Sequence, residues 1–346
     1  MQEMTGLYSI AEMVKTFLSI HLPEPRWVDW GMNLFNIGAI FTIISLSAVV
    51  LVYTERKISA YMQLRSGPNR VGPGGSMQTI ADMIKLMTKE DIMPAGADKW
   101  MWILAPMLLF IPAAAVFAVF PFDHQAIFVD LNIGVFYFIA VSSQSVLPFL
   151  MAGWASNSKY SLVGGMRTVA QMLSYEVPMV LSILGIVMLT GSLRMSHIVA
   201  AQQQLWFIVI QPIAFVVYMI TATAEINRAP FDLVEGESEL VAGPFTEYTG
   251  MRWALFFLAE YANLLAASVI AATLFLGGWS GPWLPGWVWF ILKVGAMIFL
   301  FMWFRWTFPR LRIDQLMAFG WKVLLPLALA NVVLTGIGIY VYKFYL

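Results

Sequence analysis

A short acidic segment carries the residues best suited to chemistry. Only 12% of the residues are charged, yet five carboxylates fall between positions 225 and 239. They are Glu225, Asp232, Glu235, Glu237 and Glu239. Carboxylates next to a bilayer are costly, so they are usually kept for moving protons or holding a polar ligand. The segment is therefore a candidate proton path.

The acidic segment also has the start and stop signals of a helix. Pro230 suits a first helical position, and the Gly-Pro pair at 243–244 suits a stop just past the end. On such a helix Asp232, Glu235 and Glu239, spaced +3 and +4, share one face. Like charges on one face repel, and carboxylates buried together hold protons near neutral pH. We expect this group to pass protons.

Another carboxylate, Glu176, lies early in an apolar stretch, two residues before Pro178. The proline leaves the carbonyl of Ser174 without its helical donor and favours a kink where water can enter. A charged side chain near the middle of a bilayer costs about 2.5–3.5 kcal/mol on insertion scales. A proton site or the wall of a polar pocket is therefore favoured, and the alternative is a structural ion pair of Arg167.

Several other charges lie within apolar stretches or at their ends. Glu225 either takes part in proton transfer, or reaches the membrane interface by snorkelling, or pairs locally with Arg228. Glu260 and Lys293 either pair with each other, which would be structural, or serve the proton path. A basic cluster at 305–314 contains Arg305, Arg310, Arg312 and Asp314. For this cluster, membrane topology and contact with anionic lipids are favoured over catalysis.

Long apolar stretches must position these residues. Hydrophobic residues make up 60% of the chain and mean hydropathy is +0.75, which excludes a soluble globular domain. Eight stretches could each cross a hydrocarbon core of about 30 Å: about 32–53, 100–120, 133–154, 172–190, 205–224, 253–276, 287–308 and 321–345. We predict an all-α, polytopic membrane helical bundle of about eight transmembrane helices, forming a single integral membrane domain over 1–346.

An amphipathic segment follows the first apolar stretch. Met77, Ile80, Ile84 and Met87 form one stripe at helical spacing, with polar residues opposite. This pattern predicts a helix lying in the membrane interface. The alternative is a helix that caps the bundle.

Lys and Arg residues are distributed unevenly among the loops. Fifteen of the twenty fall in alternate loops, at about 54–99, 155–171, 225–252 and 305–322. By the positive-inside rule these loops face the cytoplasm, which puts both termini on the periplasmic side. The N-terminus has neither the basic region nor the cleavage pattern of a signal peptide.

The residues that are missing limit the chemistry of the chain. Without Cys it can hold no iron–sulfur cluster and no Cys-based zinc. The three His residues fall in predicted outer segments, so they supply no facing pair for a haem. There is also no phosphate-binding loop. We expect any redox chemistry to occur on a bound small molecule that receives its electrons from another subunit.

Motifs along the chain match those of one family. In order they are ERK at 55–57, GPNRVGP at 67–73, AD at 81–82, KED at 89–91, ASNSKY at 155–160, SYE at 174–176, AEINRAPFDL at 224–233, EY at 247–248 and RWTFPRLRIDQ at 305–315. The sequence resembles the H-type membrane subunits of bacterial NADH:quinone oxidoreductase (respiratory complex I), the counterparts of mitochondrial chain 1. The motifs cover about 55–322 in the family's order.

The resemblance implies a subunit without a redox centre, inactive alone, that forms the membrane part of the quinone chamber and links quinone reduction to proton translocation. Carried over by position, the proton-path residues are Glu176, Glu225, Asp232, Glu235, Glu237, Glu239, Glu247 and Glu260. The chamber residues are Arg56, Arg65, Asp82 and Arg228.

The resemblance also implies a substrate and partners. The substrate would be ubiquinone or menaquinone, while NADH, FMN and the iron–sulfur clusters would be bound by partner subunits. The hydrophilic arm would contact the cytoplasmic loops, and small membrane subunits would lie alongside in the bacterial inner membrane. The family offers no role for a metal or nucleic acid on this chain.

Two alternatives belong to other classes. One is the homologous subunit of a membrane-bound hydrogenase or of a related ferredoxin- or coenzyme-coupled dehydrogenase; the chain length and the acidic segment favour the respiratory complex. The other is a stand-alone secondary transporter. The absence of an internal repeat disfavours it, because many transporter folds are built from such repeats.

Overall fold

The computed structural model describes residues 6–21, 25–124, 126–233 and 240–345. Over these residues the chain is helical, apart from loops and one isolated β-bridge between Pro121 and Ile127. The helices are α1 (Gly6–His21), α2 (Pro25–Met62), α3 (Gln78–Thr88), α4 (Lys99–Ala115), α5 (Gly134–Ser142), α6 (Val146–Ala155), α7 (Lys159–Thr190), α8 (Met195–Ala201), α9 (Phe207–Ile210), α10 (Pro212–Glu225), α11 (Gly250–Phe275), α12 (Gly286–Thr307), α13 (Ile313–Phe319) and α14 (Leu325–Tyr345).

Seven helical stretches in the described part of the chain are long and apolar enough to cross a membrane. They are Pro25–Met62, Lys99–Val119, Gly134–Ala155, Lys159–Thr190, Gly250–Phe275, Gly286–Thr307 and Ile313–Lys343. A short 3₁₀ or π turn joins two helices within Gly134–Ala155 and within Ile313–Lys343, and a 3₁₀ turn ends Lys99–Val119. The hydrocarbon core of a bilayer contains no water to form hydrogen bonds with backbone N–H and C=O groups. Each stretch therefore forms a helix, in which these groups bond one another. The predicted all-α bundle is confirmed.

One of the eight predicted spans, at about 205–224, is not one continuous helix. It is divided into α9 and α10, and α10 has 14 residues, about 21 Å at 1.5 Å per residue. The break lies at Gln211, whose φ of −124° and ψ of 55° are not helical, followed by Pro212, which has no N–H to bond the preceding turn. The Gln211 side chain anchors the break to α14, since it accepts from Asn331 Nδ2 at 2.8 Å and donates to Thr335 Oγ1 at 2.7 Å.

The amphipathic segment forms α3, as predicted, and α3 contacts α2 and α11. Its apolar stripe is exposed, with relative accessibilities from 41% at Ile80 to 61% at Met87. An exposed apolar stripe at the edge of a membrane bundle fits a helix that lies in the interface.

Small residues bring the central helices close together. An added Cβ at Gly153 on α6 would lie 2.6 Å from the carbonyl oxygen of Ser161 on α7, and one at Gly165 would lie 3.0 Å from Phe149 O. Within a bilayer the hydrophobic effect does not drive helices together, so the van der Waals contacts that this close approach permits stabilise their association. It fixes α7, the helix that carries Glu176, against its neighbour.

Pro230 does not begin a helix, so that prediction was wrong. The residue lies in a turn, and its carbonyl accepts a hydrogen bond from the N–H of Leu311, far along the chain, at 3.0 Å. Because this carbonyl is taken by the loop after α12, it does not serve a helix of its own. Residues 234–239 lie outside the described part of the chain.

Candidate functional site

A tight turn after α10 directs Arg228 into the bundle. Asn227 has a φ of 57°, in the left-handed region that Asn adopts more readily than most side chains. Its N–H bonds Ala224 O at 3.2 Å, and the N–H of Arg228 bonds Thr223 O at 3.3 Å. The chain thereby reverses, and Arg228 becomes 1% exposed.

Arg228 belongs to a group of four charges, the ion-pair cluster, made of Glu55, Arg228, Glu260 and Arg305. Two of them, Glu55 and Arg228, are buried, and the other two are partly buried. Arg228 Nη1 lies 3.0 Å from Glu55 Oε2, and Arg228 Nε lies 3.0 Å from Glu260 Oε1. Arg305 Nη1 lies 2.6 Å from Glu55 Oε1 and 3.8 Å from Glu260 Oε1. The Tyr261 hydroxyl donates to Glu55 Oε2 at 2.8 Å. The cluster ties α2, α11, α12 and the turn after α10 together.

The cluster is electrically balanced, with two carboxylates and two guanidinium groups. Balance matters because a buried charge without a partner costs several kcal/mol, on the order of 3–5 when one member of a pair is removed. Burial lowers the pKa of Arg228, but the carboxylates of Glu55 and Glu260 raise it more, so it stays above its ordinary value. The Tyr261 ring adds a cation–π contact, 4.7 Å from the Arg228 guanidinium.

Sequence reasoning did not select Glu55 as a site residue. The signal was present in the helical period: the buried face of α2 includes Ile44, Ala48, Leu51, Glu55 and Ser59, spaced +4, +3, +4 and +4. A carboxylate in register with a buried apolar stripe is expected to have a partner inside the bundle.

Arg305 was assigned to the basic surface cluster, and the structure corrects this. Its side chain is 24% exposed and contacts Glu55 and Glu260. The rest of that cluster stays at the surface, where Arg312 and Asp314 form a pair at 3.0 Å with side chains 77% and 61% exposed. The difference arises because α12 ends at Thr307, so Arg305 is still on the helix and faces inward.

Of the two alternatives for Glu260 and Lys293, a pairing with each other is wrong. Lys293 Nζ donates to the carbonyl oxygens of Gly278 at 3.0 Å and Ser280 at 2.6 Å, and it lies 4.6 Å from the centre of the Trp206 ring. The two carbonyls belong to the loop between α11 and α12, at the opposite end of α12 from Arg305, and Trp206 directly precedes α9. In the part of the chain that the structure describes, Lys293 is therefore a structural anchor of that loop.

A small cleft adjoins the ion-pair cluster. Its volume, counted as the space that the centres of water molecules can occupy, is about 40 Å³. Besides apolar side chains, it is lined by Glu225, Asp232, Glu260, Asn263 and Arg305. A buried water needs about 10–15 Å³ measured in this way, so the cleft has room for a few waters. Its polar lining can bond them.

A second cavity continues from the first. Both are lined by Glu225, Ile226 and Asn263, and the second, of about 30 Å³, extends to Ser142, Ser145 and Tyr218. Glu225 thus lies between two water-sized spaces. A carboxylate in that position can accept a proton from one side and release it to the other.

Glu176 lies close enough to Glu225 for their charges to interact. Gln171, one turn earlier on α7, holds the two helices together, because its Nε2 donates to Ala224 O at 2.7 Å and to Asn227 Oδ1 at 3.2 Å. Glu225 does not form the local pair with Arg228 that was the alternative, since the ion pairs of Arg228 are with Glu55 and Glu260.

The other predicted site residues are not all brought together. Arg56 Nη1 lies 2.6 Å from Asp82 Oδ2, which joins α2 to α3. Partial burial raises the pKa of Asp82, but the hydrogen bonds from Arg56 and Gln78 hold it below its ordinary value. Arg65 is exposed, and its Nε donates to Gln63 Oε1 at 2.6 Å. Arg56 and Asp82 form a second contact region, separate from Arg228.

Glu247 lies partly buried in the turn before α11, and it does not line the cleft. Glu235, Glu237 and Glu239 lie outside the described residues. The helix face that Glu235 and Glu239 were predicted to share with Asp232 therefore stays a prediction.

Comparison with known proteins gives a consistent result. The sequence model of the NADH dehydrogenase family matches residues 35–336. The H subunit of the NADH-quinone oxidoreductase of Carboxydothermus hydrogenoformans is 48% identical over 338 residues, covering 96% of this chain and 97% of that protein. The corresponding protein of Geobacter metallireducens, numbered 1 in that organism, is 53% identical over 321 residues, covering 90% and 98%. The corresponding protein of Bacillus cytotoxicus is 55% identical, covering 83% and 87%.

Proposed function

Because this chain belongs to the NADH dehydrogenase family, we propose that it is the membrane subunit of a proton-pumping NADH:quinone oxidoreductase that couples quinone reduction to proton movement. Its similar relatives are named as the H subunits of NADH-quinone oxidoreductases. The chain forms the membrane wall of the quinone chamber and the first part of a proton path. It works as part of an enzyme and supplies no redox centre.

The observation that carries this proposal is the ion-pair cluster beside the water-sized cleft. Charged side chains within a membrane bundle are energetically costly, so a group of four indicates a functional site by default. Here Glu260 and Arg305 belong to the cluster and also line the cleft. A change of charge near the cluster therefore acts directly on the carboxylates of the cleft.

The proton path runs from Asp232 and Glu260 to Glu225, and from there to Glu176 or into the second cavity. Glu225 and Asn263 line both cavities, so waters on the two sides of Glu225 can hand protons to its carboxylate. Glu235, Glu237, Glu239 and Glu247 belong to the entrance of this path by their position next to it in the sequence.

The quinone chamber lies where α2 meets α3. Arg56, Arg65 and Asp82 supply polar groups there, and the exposed apolar stripe of α3 supplies a route for an isoprenoid quinone, ubiquinone or menaquinone, from the bilayer. Arg228 connects this region to the proton path through Glu55, which precedes Arg56 on α2.

Partner subunits complete the enzyme. The loops at about 54–99, 155–171, 225–252 and 305–322 face the cytoplasm and dock the hydrophilic arm, whose subunits bind NADH, FMN and the iron–sulfur clusters; both termini then lie on the periplasmic side of the bacterial inner membrane. Small membrane subunits lie alongside the bundle.

The test is the Glu225→Gln variant in the complete complex, reconstituted in vesicles, with quinone reduction by NADH and proton uptake measured together. Glutamine keeps the size of the side chain but cannot bind and release a proton, so reduction and pumping should both fall in an assembled complex. Glu12→Gln is the matched control, since Glu12 is exposed on α1, far from the cluster in the sequence. Unchanged rates of both quinone reduction and proton pumping in Glu225→Gln would contradict the proton path but leave the family assignment intact.

A further inference from the structure

Three cavities adjoin one another away from the ion-pair cluster. The outer polar pocket, of about 710 Å³, lies between the loops at 123–130 and 279–286 and the segment 194–203, which contains α8. The large groove, of about 480 Å³, is apolar and runs between α2 and α12. The small groove, of about 240 Å³, lies between α2 and the residues 126–128.

Shared wall residues join the three cavities. Asp123 lines both the outer polar pocket and the large groove. Ile127 lines both the outer polar pocket and the small groove. Ile43, Phe122 and Ala126 line both grooves. One polar pocket therefore adjoins two apolar grooves, which is the arrangement of a headgroup and two acyl chains.

The large groove is open to the outside of the bundle. Val50 and Ile291 on its rim are 60% and 59% exposed. Gly295 lines it on α12, and an added Cβ there would meet no atom within 4 Å. An acyl chain from the bilayer can enter such a groove sideways.

The outer polar pocket has charges of both signs. Asp130 Oδ2 accepts from Arg194 Nε at 2.8 Å and from Ser196 Oγ at 2.9 Å. The Arg194 side chain is 36% exposed, and a guanidinium has five N–H donors, so donors remain for a phosphate. The second carboxylate, Asp123, lies at the boundary with the large groove.

The charge of the pocket decides the kind of headgroup. Its described lining contains two carboxylates and one guanidinium, besides two His residues. The carboxylates thus outnumber the guanidinium, which disfavours an anionic lipid and favours a ligand that carries an ammonium as well as a phosphate. A carboxylate within contact of an ammonium stabilises it by charge.

We propose that this site binds a two-chain phospholipid with a phosphoethanolamine headgroup, whose phosphate contacts Arg194, whose ammonium contacts Asp123, and whose acyl chains lie one in each groove. The lipid seals the gap between α2 and α12. This site is separate from the proposed quinone chamber, because it uses α12 and the loops at the opposite end of that helix from Arg305.

The first test counts lipids. The complete complex is purified with Gly295→Leu, which fills the large groove, or with Gly338→Leu as the matched control, since an added Cβ at Gly338 on α14 also meets no atom within 4 Å. Mass spectrometry of extracted lipids should find one phosphatidylethanolamine fewer per complex in Gly295→Leu and no change in Gly338→Leu. Equal numbers in both would overturn the proposal. So would a Gly295→Leu chain that fails to join its partners, because a helix from another subunit would then occupy the groove.

The second test addresses the headgroup. Complexes are equilibrated with vesicles of phosphatidylethanolamine and phosphatidylglycerol, and the ratio of the two retained lipids is measured. The unaltered complex should retain phosphatidylethanolamine in excess, and Asp123→Asn should reduce that preference severalfold without reducing the total. A ratio equal to that of the vesicles in the unaltered complex, or one unaffected by Asp123→Asn, would overturn the headgroup assignment.

Discussion

Glu55 and Arg56 are neighbours on α2, yet they face two different sites. Glu55 Oε2 accepts a hydrogen bond from Arg228 at 3.0 Å, whereas Arg56 Nη1 donates to Asp82 Oδ2 at 2.6 Å. Successive residues of an α-helix point about 100° apart, so one turn can serve two partners. The end of α2 is thus a rigid link between the proposed proton path and the proposed quinone chamber.

Removal of the central guanidinium should destabilise the complex. In Arg228→Gln the carboxylates of Glu55 and Glu260 lose their ion pairs with Arg228, and the expected loss is about 3–5 kcal/mol of unfolding free energy. Thermal dissociation of the purified complex measures it. Arg312→Gln, at an exposed pair, should change stability by no more than about 0.5 kcal/mol. Adding Glu260→Gln to Arg228→Gln should restore part of the loss; no restoration would show that the two residues do not share one cluster.

Glu176 and Glu225 should behave as one unit. Because their charges interact, the loss of quinone reduction in Glu176→Gln with Glu225→Gln should differ from the sum of the single losses by about 0.5–3 kcal/mol of activation free energy. The rates of the assembled complexes measure this coupling. The control pair is Glu176→Gln with Glu247→Gln, which should be additive within about 0.5 kcal/mol. Additivity in both pairs would separate Glu176 from the proton path.

Arg56→Gln should raise the KM for quinone more than it lowers kcat, because it frees α3 from α2 and alters the chamber. The Arg56 and Asp82 side chains are 42% and 26% exposed, so salt should screen the pair and raise KM in the unaltered complex. In Arg56→Gln this dependence on salt should be absent. A KM that responds to salt equally in both complexes would argue against the pair as its source.

The same pair should be insensitive to pH near neutrality. The pKa of Asp82 in the folded chain is below its ordinary value of 3.8, so the pair is complete above that value and is lost as the pH falls below it. Between about pH 6 and 8, KM should therefore change equally with pH in the unaltered complex and in Asp82→Asn. A pH dependence that disappears in Asp82→Asn would contradict this assignment.

Gln211→Leu should destabilise the bundle at the break between α9 and α10. The buried Asn331 amide and Thr335 hydroxyl each lose a side-chain partner, at about 1–3 kcal/mol for a buried polar group left unpaired. Thermal dissociation checks this, with Gln144→Leu as the control because Gln144 is exposed. Asn331→Leu in the same chain should recover part of the loss.

Local patterns in the chain are enough to predict the class of the fold. Long apolar stretches with few charges must become helices in a bilayer, because each backbone group there has to find its partner within its own segment. The amphipathic spacing of α3 and the deep carboxylates Glu176, Glu225 and Glu260 were equally visible, because their signals are local in the chain.

Tertiary structure decided how those charges are paired. The partners Glu55 and Arg228 are 173 residues apart, and Glu55 and Arg305 are 250 apart, so no local pattern joins them. The choice of Arg228 and Arg305 as partners of Glu260, rather than Lys293, depends on which end of α12 meets α2 and α11. Packing also decided the break at Gln211, where a side chain bonded to α14 and a proline divide a stretch whose hydropathy alone predicted one continuous helix.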